Sequence, residues 1–324
     1  MERSKMKIKN IAVVTGGSAA ERGISLLSAD VVCQYLDKSK FTPYKVVLNE
    51  KEWIVEAGGK SIATVDKNDF SATINGSKIL FDKVFVALHG TPAEDGKLQG
   101  YFDLLNISYN CCGVLQAALT FDKFRCKEYL QNYGVNVAKG KVFRAGEEHN
   151  FNVDFEFPVF VKPNKNGSSY GASKVDEKAT LENAVNEAFK YDDEVIVEEY
   201  LKGIEVTCGV LKINGKPTAL PLTEIRSKNA FFDFEAKYKG ESKEVTPAEI
   251  SNELTEAIQK TSVRVYNALG MKGMCRIDYI VKNNTHYLLE VNSIPGLTVE
   301  SLVPQQARAF GLSLTELFTI SLEG

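Results

Sequence analysis

Two short stretches late in the chain carry oxygen-bearing side chains at a spacing that suits chemistry. "CRIDY" sets Arg276 and Asp278 two residues apart, and "LLEVNS" does the same with Glu290 and Asn292. Strand side chains alternate faces, so each pair shares one face. The runs flank "NNT" and read as a hairpin. A three-residue loop centred on Asn284 places Ile280 opposite Leu288, Asp278 opposite Glu290 and Arg276 opposite Asn292. A two-residue loop would instead pair Asp278 with Leu289 and mix charge with apolar surface, so the longer loop is expected. Facing carboxylates repel. A divalent cation removes the repulsion, and oxygen-only ligands suit Mg²⁺ or Mn²⁺, whose shell is completed by water and phosphate. A solvated face on which Arg276 bridges the acids is the competing reading of the hairpin alone.

A second group of residues suits phosphate. "VKPNKNGSSYGASKV" ends an apolar strand at Lys162 and continues into Gly167, Ser168, Ser169 and Gly171. Small residues let backbone N–H groups approach a phosphate, and Lys162 supplies a point charge. The chain contains no G-x-x-x-x-G-K-[ST] loop. A plain surface turn is the alternative. The loop also spells G-x-S-x-G around Ser169, a hydrolase elbow, but that needs a tight strand-to-helix turn and a histidine base. The chain has three histidines, His89, His149 and His286, and no context marks one as the partner. His89 ends a buried strand in "ALHGTPAEDGKLQG", where α/β sheets place binding residues. Glu21 follows the first strand in "GGSAAERGIS". Glu198 and Glu205 in "EEYLKGIEV" suit an adenine amino group and ribose hydroxyls. "DFEAKY", with Lys237 and Tyr238, lies in a long polar connection of the kind that forms lids. Each of these, taken singly, also reads as ordinary surface.

The elements that must position them follow from pattern. The chain has 324 residues, 44% hydrophobic and 25% charged, which suits a globular protein of two or three packed units. With 39 basic against 42 acidic residues, net charge −3, no global case exists for nucleic acid or an anionic membrane. No apolar run approaches the ~20 residues of a spanning helix. The basic start followed by "IAVVTGG" is expected to be a first β-strand rather than a signal peptide. Six scattered cysteines, with no C-x-x-C, suggest buried thiols in a reducing cytoplasm. "IAVVTGG", "ISLLSADVVCQYL", "YKVVL" and "KVFVALHG" alternate strand and helix, the pattern of a parallel α/β unit. "WIVEAGGKSIATVDKNDFSATINGSKILF" reads as hairpins. Helix is expected across 113–134, then over 180–191 capped by Thr180, and over 246–270 capped by Thr246 with Pro247 at its first position.

Taken together, "AVVTGGSAAERGIS", "ALHGTPAEDGKLQG", "VKPNKNGSSYGASKV", "DFEAKY", "CRIDY" and "LLEVNSIPGLTVESLVP" resemble the D-alanine:D-alanine ligases of the ATP-grasp superfamily. The six ordered motifs span nearly the entire chain. The resemblance implies a three-domain ATP-grasp fold, α/β and α+β, with a doubly wound parallel sheet in the N-terminal domain. Its domains would be 1–112, 113–200 and 201–324. It implies ligation of two D-alanines through an acyl phosphate, for peptidoglycan precursors, by a cytoplasmic homodimer using ATP and two Mg²⁺ or Mn²⁺ ions. On this likeness Lys123 and Lys162 would hold the α/β phosphates, Ser169 would join the nucleotide contacts, and Lys237 would meet the γ-phosphate. Glu198, Leu201 and Glu205 would take adenine and ribose, with Phe231 and Leu289 around the base. Asp278, Glu290 and Asn292 would bind metal. Arg276 and the Gly296 N–H would hold the oxyanion. Glu21 would pair with the first substrate's ammonium and Ser301 with the second's carboxylate, His89 lying near both. Glu21, Ser168 and Tyr238 resemble the network that docks the lid, and a tyrosine at 238 implies a dipeptide product. Gly23, Ala93 and Asn166 depart from common family residues without removing a ligand. Rival readings are another ATP-grasp carboxylate–amine ligase, a catalytically idle nucleotide binder, and the serine hydrolase above.

Overall fold

The structure is a computed structural model that describes residues 8–17, 21–165, 167, 170–227 and 242–324, with the backbone alone at 227 and 242. The first sheet is built by β1 (Lys9–Gly16), helix α1 (Arg22–Tyr35), β2 (Phe41–Leu48), β3 (Trp53–Ala57), β4 (Lys60–Asp66), β5 (Ser71–Ile74), β6 (Ser77–Leu80) and β7 (Lys83–Val86). Its order is β6-β5-β4-β3-β2-β1-β7. β1 runs parallel to both β2 and β7, while β2 to β6 form an antiparallel meander. The parallel part is thus three strands, extended by the expected hairpins. Ile11 to Val14 are fully buried because both faces of β1 are covered. Ala12 and Val14 meet Phe70 and Phe102 on one side. Ile11 and Val13 meet α1 and, from the far end of the chain, Val303, Leu317 and Phe318 on the other.

Helices α2 (Lys97–Leu104), α3 (Val114–Phe121) and α4 (Lys123–Gln131) follow. The helical stretch expected across 113–134 is broken at Asp122, whose side chain accepts the Arg125 N–H at 3.0 Å and caps α4. The second sheet comprises β8 (Gly140–Arg144), β9 (Val159–Pro163), β10 (Ser173–Val175) and β11 (Glu194–Glu199), in the order β10-β9-β11-β8. It carries α5 (Leu181–Ala188) on one face through Leu181 and Val185. Thr180 does not cap α5: it ends a 3₁₀ turn, Lys178–Thr180, and its hydroxyl bonds back to the Glu177 carbonyl.

The third sheet holds β12 (Ile204–Ile213), β13 (Lys216–Ala219), β14 (Thr223–Ser227), β15 (Ser242–Val245), β16 (Cys275–Lys282) and β17 (Thr285–Asn292), ordered β15-β14-β12-β16-β17 with β13 on β12. Its core side packs against α6 (Asn252–Ala268), which lies between β15 and β16 in sequence, and against α3 and α4 through Ala117, Cys126 and Leu130. Helix α6 begins at Asn252 rather than beside Pro247: Ser251 accepts the Leu254 N–H at 3.2 Å, a stronger start than Thr246, whose hydroxyl is taken by Thr223. Helices α7 (Leu302–Phe310) and α8 (Leu314–Glu323) return to the first sheet. All six cysteines are free thiols, five of them buried. Among the described residues no helix is long and apolar enough to cross a membrane.

The β16–β17 hairpin corrects the expected loop. Its turn has two residues, Asn283 and Asn284, both at positive φ (50° and 57°), the pair of conformations a type I′ hairpin requires and asparagine tolerates. Lys282 therefore pairs with Thr285 and Ile280 with Tyr287, not with Leu288. The acids still meet, because a β-bulge at Leu289 takes up one residue: Tyr279 faces Leu288, yet Asp278 faces Glu290 and Arg276 faces Asn292.

Candidate active site

A cleft of about 1170 Å³ lies where the three sheets approach one another. Among its lining residues are Glu21, His89, Lys123, Lys162, Glu198, Leu201, Glu205, Arg276, Asp278, Leu289, Glu290, Asn292, Gly296 and Ser301. Every described residue of the expected catalytic, substrate, nucleotide and metal set is thus brought to one cavity. Ser168, Ser169, Phe231, Lys237, Tyr238 and Asn166 lie outside the described residues.

At the hairpin end, alternation on β16 sends Ile277 and Tyr279 into the core and Arg276 and Asp278 into the cleft. The bulge lets two successive residues, Leu289 and Glu290, border the cleft while Leu288 and Val291 pack in the core. Asp278 is held from three directions. Arg276 grips it with two bonds (Nε to Oδ1 2.9 Å, Nη2 to Oδ2 2.8 Å), Thr207 donates to Oδ1 at 2.6 Å, and the Asn292 amide donates to Oδ2 at 2.9 Å. Thr207 is itself fixed by Gln306, whose amide donates to its carbonyl at 3.0 Å. Glu290 faces Lys123 at 3.9 Å. These donors are oxygens only, two carboxylates and an amide on one face, which fits a hard divalent cation. Among the described residues no set of three or more His, Cys, Asp or Glu gathers as a metal cage.

At the opposite end, β9 and β11 pair so that Lys162 and Glu198 both border the cleft. Lys162 Nζ lies 3.0 Å from Glu198 Oε2, and Lys127 Nζ closes on Oε1 at 2.5 Å. Burial would raise Glu198, but the two ammonium charges outweigh it and hold the carboxyl at about 2. Burial pulls Lys127 down to about 8, with Lys162 adding to the pull against Glu198. Lys162 is shifted upward, since Glu198 and Glu290 together outweigh its desolvation.

The remaining wall comes from the first unit and the 293–301 loop. His89 is buried between Ser28 Oγ and the Ile294 carbonyl, each at 3.0 Å. A carbonyl only accepts, so Nδ1 carries the proton and Nε2 accepts from Ser28. Desolvation lowers its pKa, against the nearby charge of Glu21, so the ring is neutral. Ser28 also accepts the Leu297 N–H at 3.3 Å, so His89 and Ser28 pin the loop around Gly296. A Cβ at Gly296 would sit 2.8 Å from Ser301 Oγ, and one at Gly167 would sit 2.6 Å from Glu21 Oε1. A side chain at Gly296 would have to displace Ser301, and one at Gly167 would have to push the Glu21 carboxylate aside. Gly167 thus lies directly against the Glu21 carboxylate.

Sequence reasoning missed Glu94 and Lys127. Glu94 borders the cleft and accepts the Gly90 N–H at 2.9 Å. Desolvation, then the charge of Glu21, pushes its carboxyl up to about 8. Its place after a strand-end histidine was the available signal. Lys127 had one too, lying four residues beyond Lys123 on one helix.

Three sheets around one cleft that brings lysines together with the Asp278–Glu290 pair define an ATP-grasp ligase. The profile described as "D-ala D-ala ligase N-terminus" matches residues 10–112, and "D-ala D-ala ligase C-terminus" matches 129–323. The chain belongs to the D-alanine–D-alanine ligase family. It is 47% identical over 319 residues to the D-alanine--D-alanine ligase of Flavobacterium johnsoniae, covering 98% of this chain and 99% of that protein. Among solved structures it is similar to VanG D-Ala:D-Ser ligase from Enterococcus faecalis (TM-score 0.87, 32% identity, 97% of this chain and 98% of that one). It is also similar to D-alanine--D-alanine ligase from Bacillus anthracis complexed with ATP (TM-score 0.79, 29% identity, 97% and 96% covered).

Proposed function

We propose that this chain joins two D-alanines at the expense of ATP, giving D-alanyl-D-alanine for peptidoglycan precursors through an acyl phosphate. The observation that carries the reading is the convergence of Lys123, Lys162, Arg276, Asp278, Glu290, Glu21 and Ser301 on one cleft in a member of this family.

The chemistry makes three demands on the residues. Phosphates must be neutralised: Lys123 and Lys162 receive the α/β phosphates, while Glu198, Leu201 and Glu205 take adenine and ribose against Leu289. Asp278, Glu290 and Asn292 would hold two Mg²⁺ or Mn²⁺ ions, which when bound shield the phosphate charge. The amino acids must be oriented: Glu21 pairs with the ammonium of the first and Ser301 with the carboxylate of the second. The first carboxylate then takes the γ-phosphoryl group, the second amine attacks the acyl carbon, and phosphate departs from the tetrahedral adduct. Arg276 and the Gly296 N–H stabilise the oxyanion. Neutral His89 holds the Gly296 loop in register.

The units 1–112, 113–200 and 201–324, a homodimer and a cytoplasmic setting complete the proposal on the strength of family membership. The test is incubation with Mg-ATP and D-alanine, with product read by mass and ADP by a coupled assay, against L-alanine, D-serine and D-lactate. A dipeptide of two D-alanines with matching ADP is expected. ADP release independent of any amino acid sinks the ligase reading, and preferential turnover of another acceptor reassigns the second substrate.

A further inference from the structure

Lys127 lies one helical turn beyond Lys123 on α4, yet it is 3% exposed and sits behind the cleft wall. Among the described residues its carboxylate partner is Glu198, which is shared with Lys162, and the three side chains are 4%, 4% and 13% exposed in the order Lys127, Glu198, Lys162. One buried carboxylate therefore carries two ammonium groups, of which only Lys162 reaches the cavity. A triphosphate entering the cleft draws Lys162 toward itself. A buried carboxylate left without a cation is strongly unfavourable, and it would compete with phosphate for Lys162. A second cation beyond the ligand's reach removes that competition.

We propose that Lys127 is a positioning residue for nucleotide binding: it keeps Glu198 ionised and in place, so that Lys162 can exchange this carboxylate for phosphate. The proposal rests on the nucleotide end of the reading above. An inert structural ion pair would stabilise the fold without linking Lys127 to ATP through Glu198, and the two cases separate experimentally.

ATP is titrated by calorimetry into the full chain with Mg²⁺ and no amino acid, and KM and kcat are measured alongside. The proteins are wild type, Lys127→Met, Lys127→Arg, Glu198→Gln and the Lys127→Met/Glu198→Gln double variant. Lys127→Met is expected to weaken ATP binding and raise its KM by roughly tenfold or more, with a much smaller change in kcat, because a buried charge loses its partner. Lys127→Arg restores most of the affinity. In the Glu198→Gln background Lys127→Met adds less than about twofold, since no carboxylate remains to be held. Unchanged ATP affinity in Lys127→Met, or losses that multiply in the double variant, overturns the proposal. Should Lys127→Met fail to fold, the double variant, in which residue 198 carries no charge to be held, is compared with Glu198→Gln alone: equal affinity supports the proposal and a further large loss overturns it. Because ATP is titrated without amino acid, a chain that binds nucleotide but forms no dipeptide sinks the ligase reading and leaves this one intact.

Discussion

The two ends of the cleft solve one problem with opposite signs. At the β16–β17 hairpin an acid, Asp278, is neutralised by Arg276 and two neutral donors. Beside α4 and β9 the basic pair Lys127 and Lys162 shares one acid, Glu198, which offsets half of its charge. Each end thus contains an internal stand-in for what it is proposed to receive, a guanidinium in place of dications and a carboxylate in place of phosphate. On that proposal, binding would exchange ion pairs rather than fill a charged void, and the empty protein would be spared the repulsion of like charges. The ends differ in depth. Both acids border the cleft, but Glu198 keeps only 4% of its side-chain exposure while Glu290 retains about a quarter.

That difference can be broken or sharpened by substitution. The largest effect is expected at the hairpin. Glu290→Ala should lower turnover by roughly a thousandfold or more, since it removes a proposed metal ligand worth several kcal/mol in the transition state. The thermal midpoint should stay near wild type, because the side chain is cleft-facing. Near-normal ADP release at saturating Mg-ATP would show that the acids are not the metal end. Lys162→Met should raise the KM for ATP by about tenfold to a hundredfold, the loss of a charged partner to phosphate. A KM change confined to D-alanine would place Lys162 elsewhere. Thr207→Val, which touches Asp278 but no substrate, should cut turnover by roughly three- to tenfold and weaken Mg²⁺ activation, as removing a hydrogen bond to a ligand does.

The smallest effect concerns pH. The Glu94 carboxyl is raised to about 8 in the folded chain, so the fold binds its proton more tightly than the unfolded chain does. The stabilisation is complete below the ordinary glutamate range and is lost as pH rises through about 8. Glu94→Gln keeps the acceptor for Gly90 but cannot ionise, so its thermal midpoint should gain on wild type between pH 6 and about 9. Parallel curves over that range would mean that Glu94 is already ionised at neutral pH.

Much of this was legible in the residues. The buried run of β1, the meander with its Gly-Gly and Asn-Gly turns, and the facing of Asp278 with Glu290 follow from periodicity and charge placement. The route to that facing was not legible. Asn283 and Asn284 allow the tight I′ turn, and only the neighbouring sheet shows that a bulge at Leu289 restores the register. The start of α6 was misplaced for a similar reason: Thr246 and Ser251 are both fair caps, and the tertiary bond from Thr246 to Thr223 decides between them. Lys127 escaped notice because its partner lies 71 residues away, on a strand whose pairing no local pattern announces.

The inner face of β1 has a consequence for how the polypeptide is made. Ile11 and Val13 are covered in part by Leu317 and Phe318 of α8, so strands synthesised early wait for a helix synthesised late. Until that helix packs, this side of β1 is covered only in part, chiefly by Ala29 and Val32 of α1. The amino-terminal sheet is therefore completed by a helix from the far end of the fold, and a chain lacking α8 would expose the apolar face of β1.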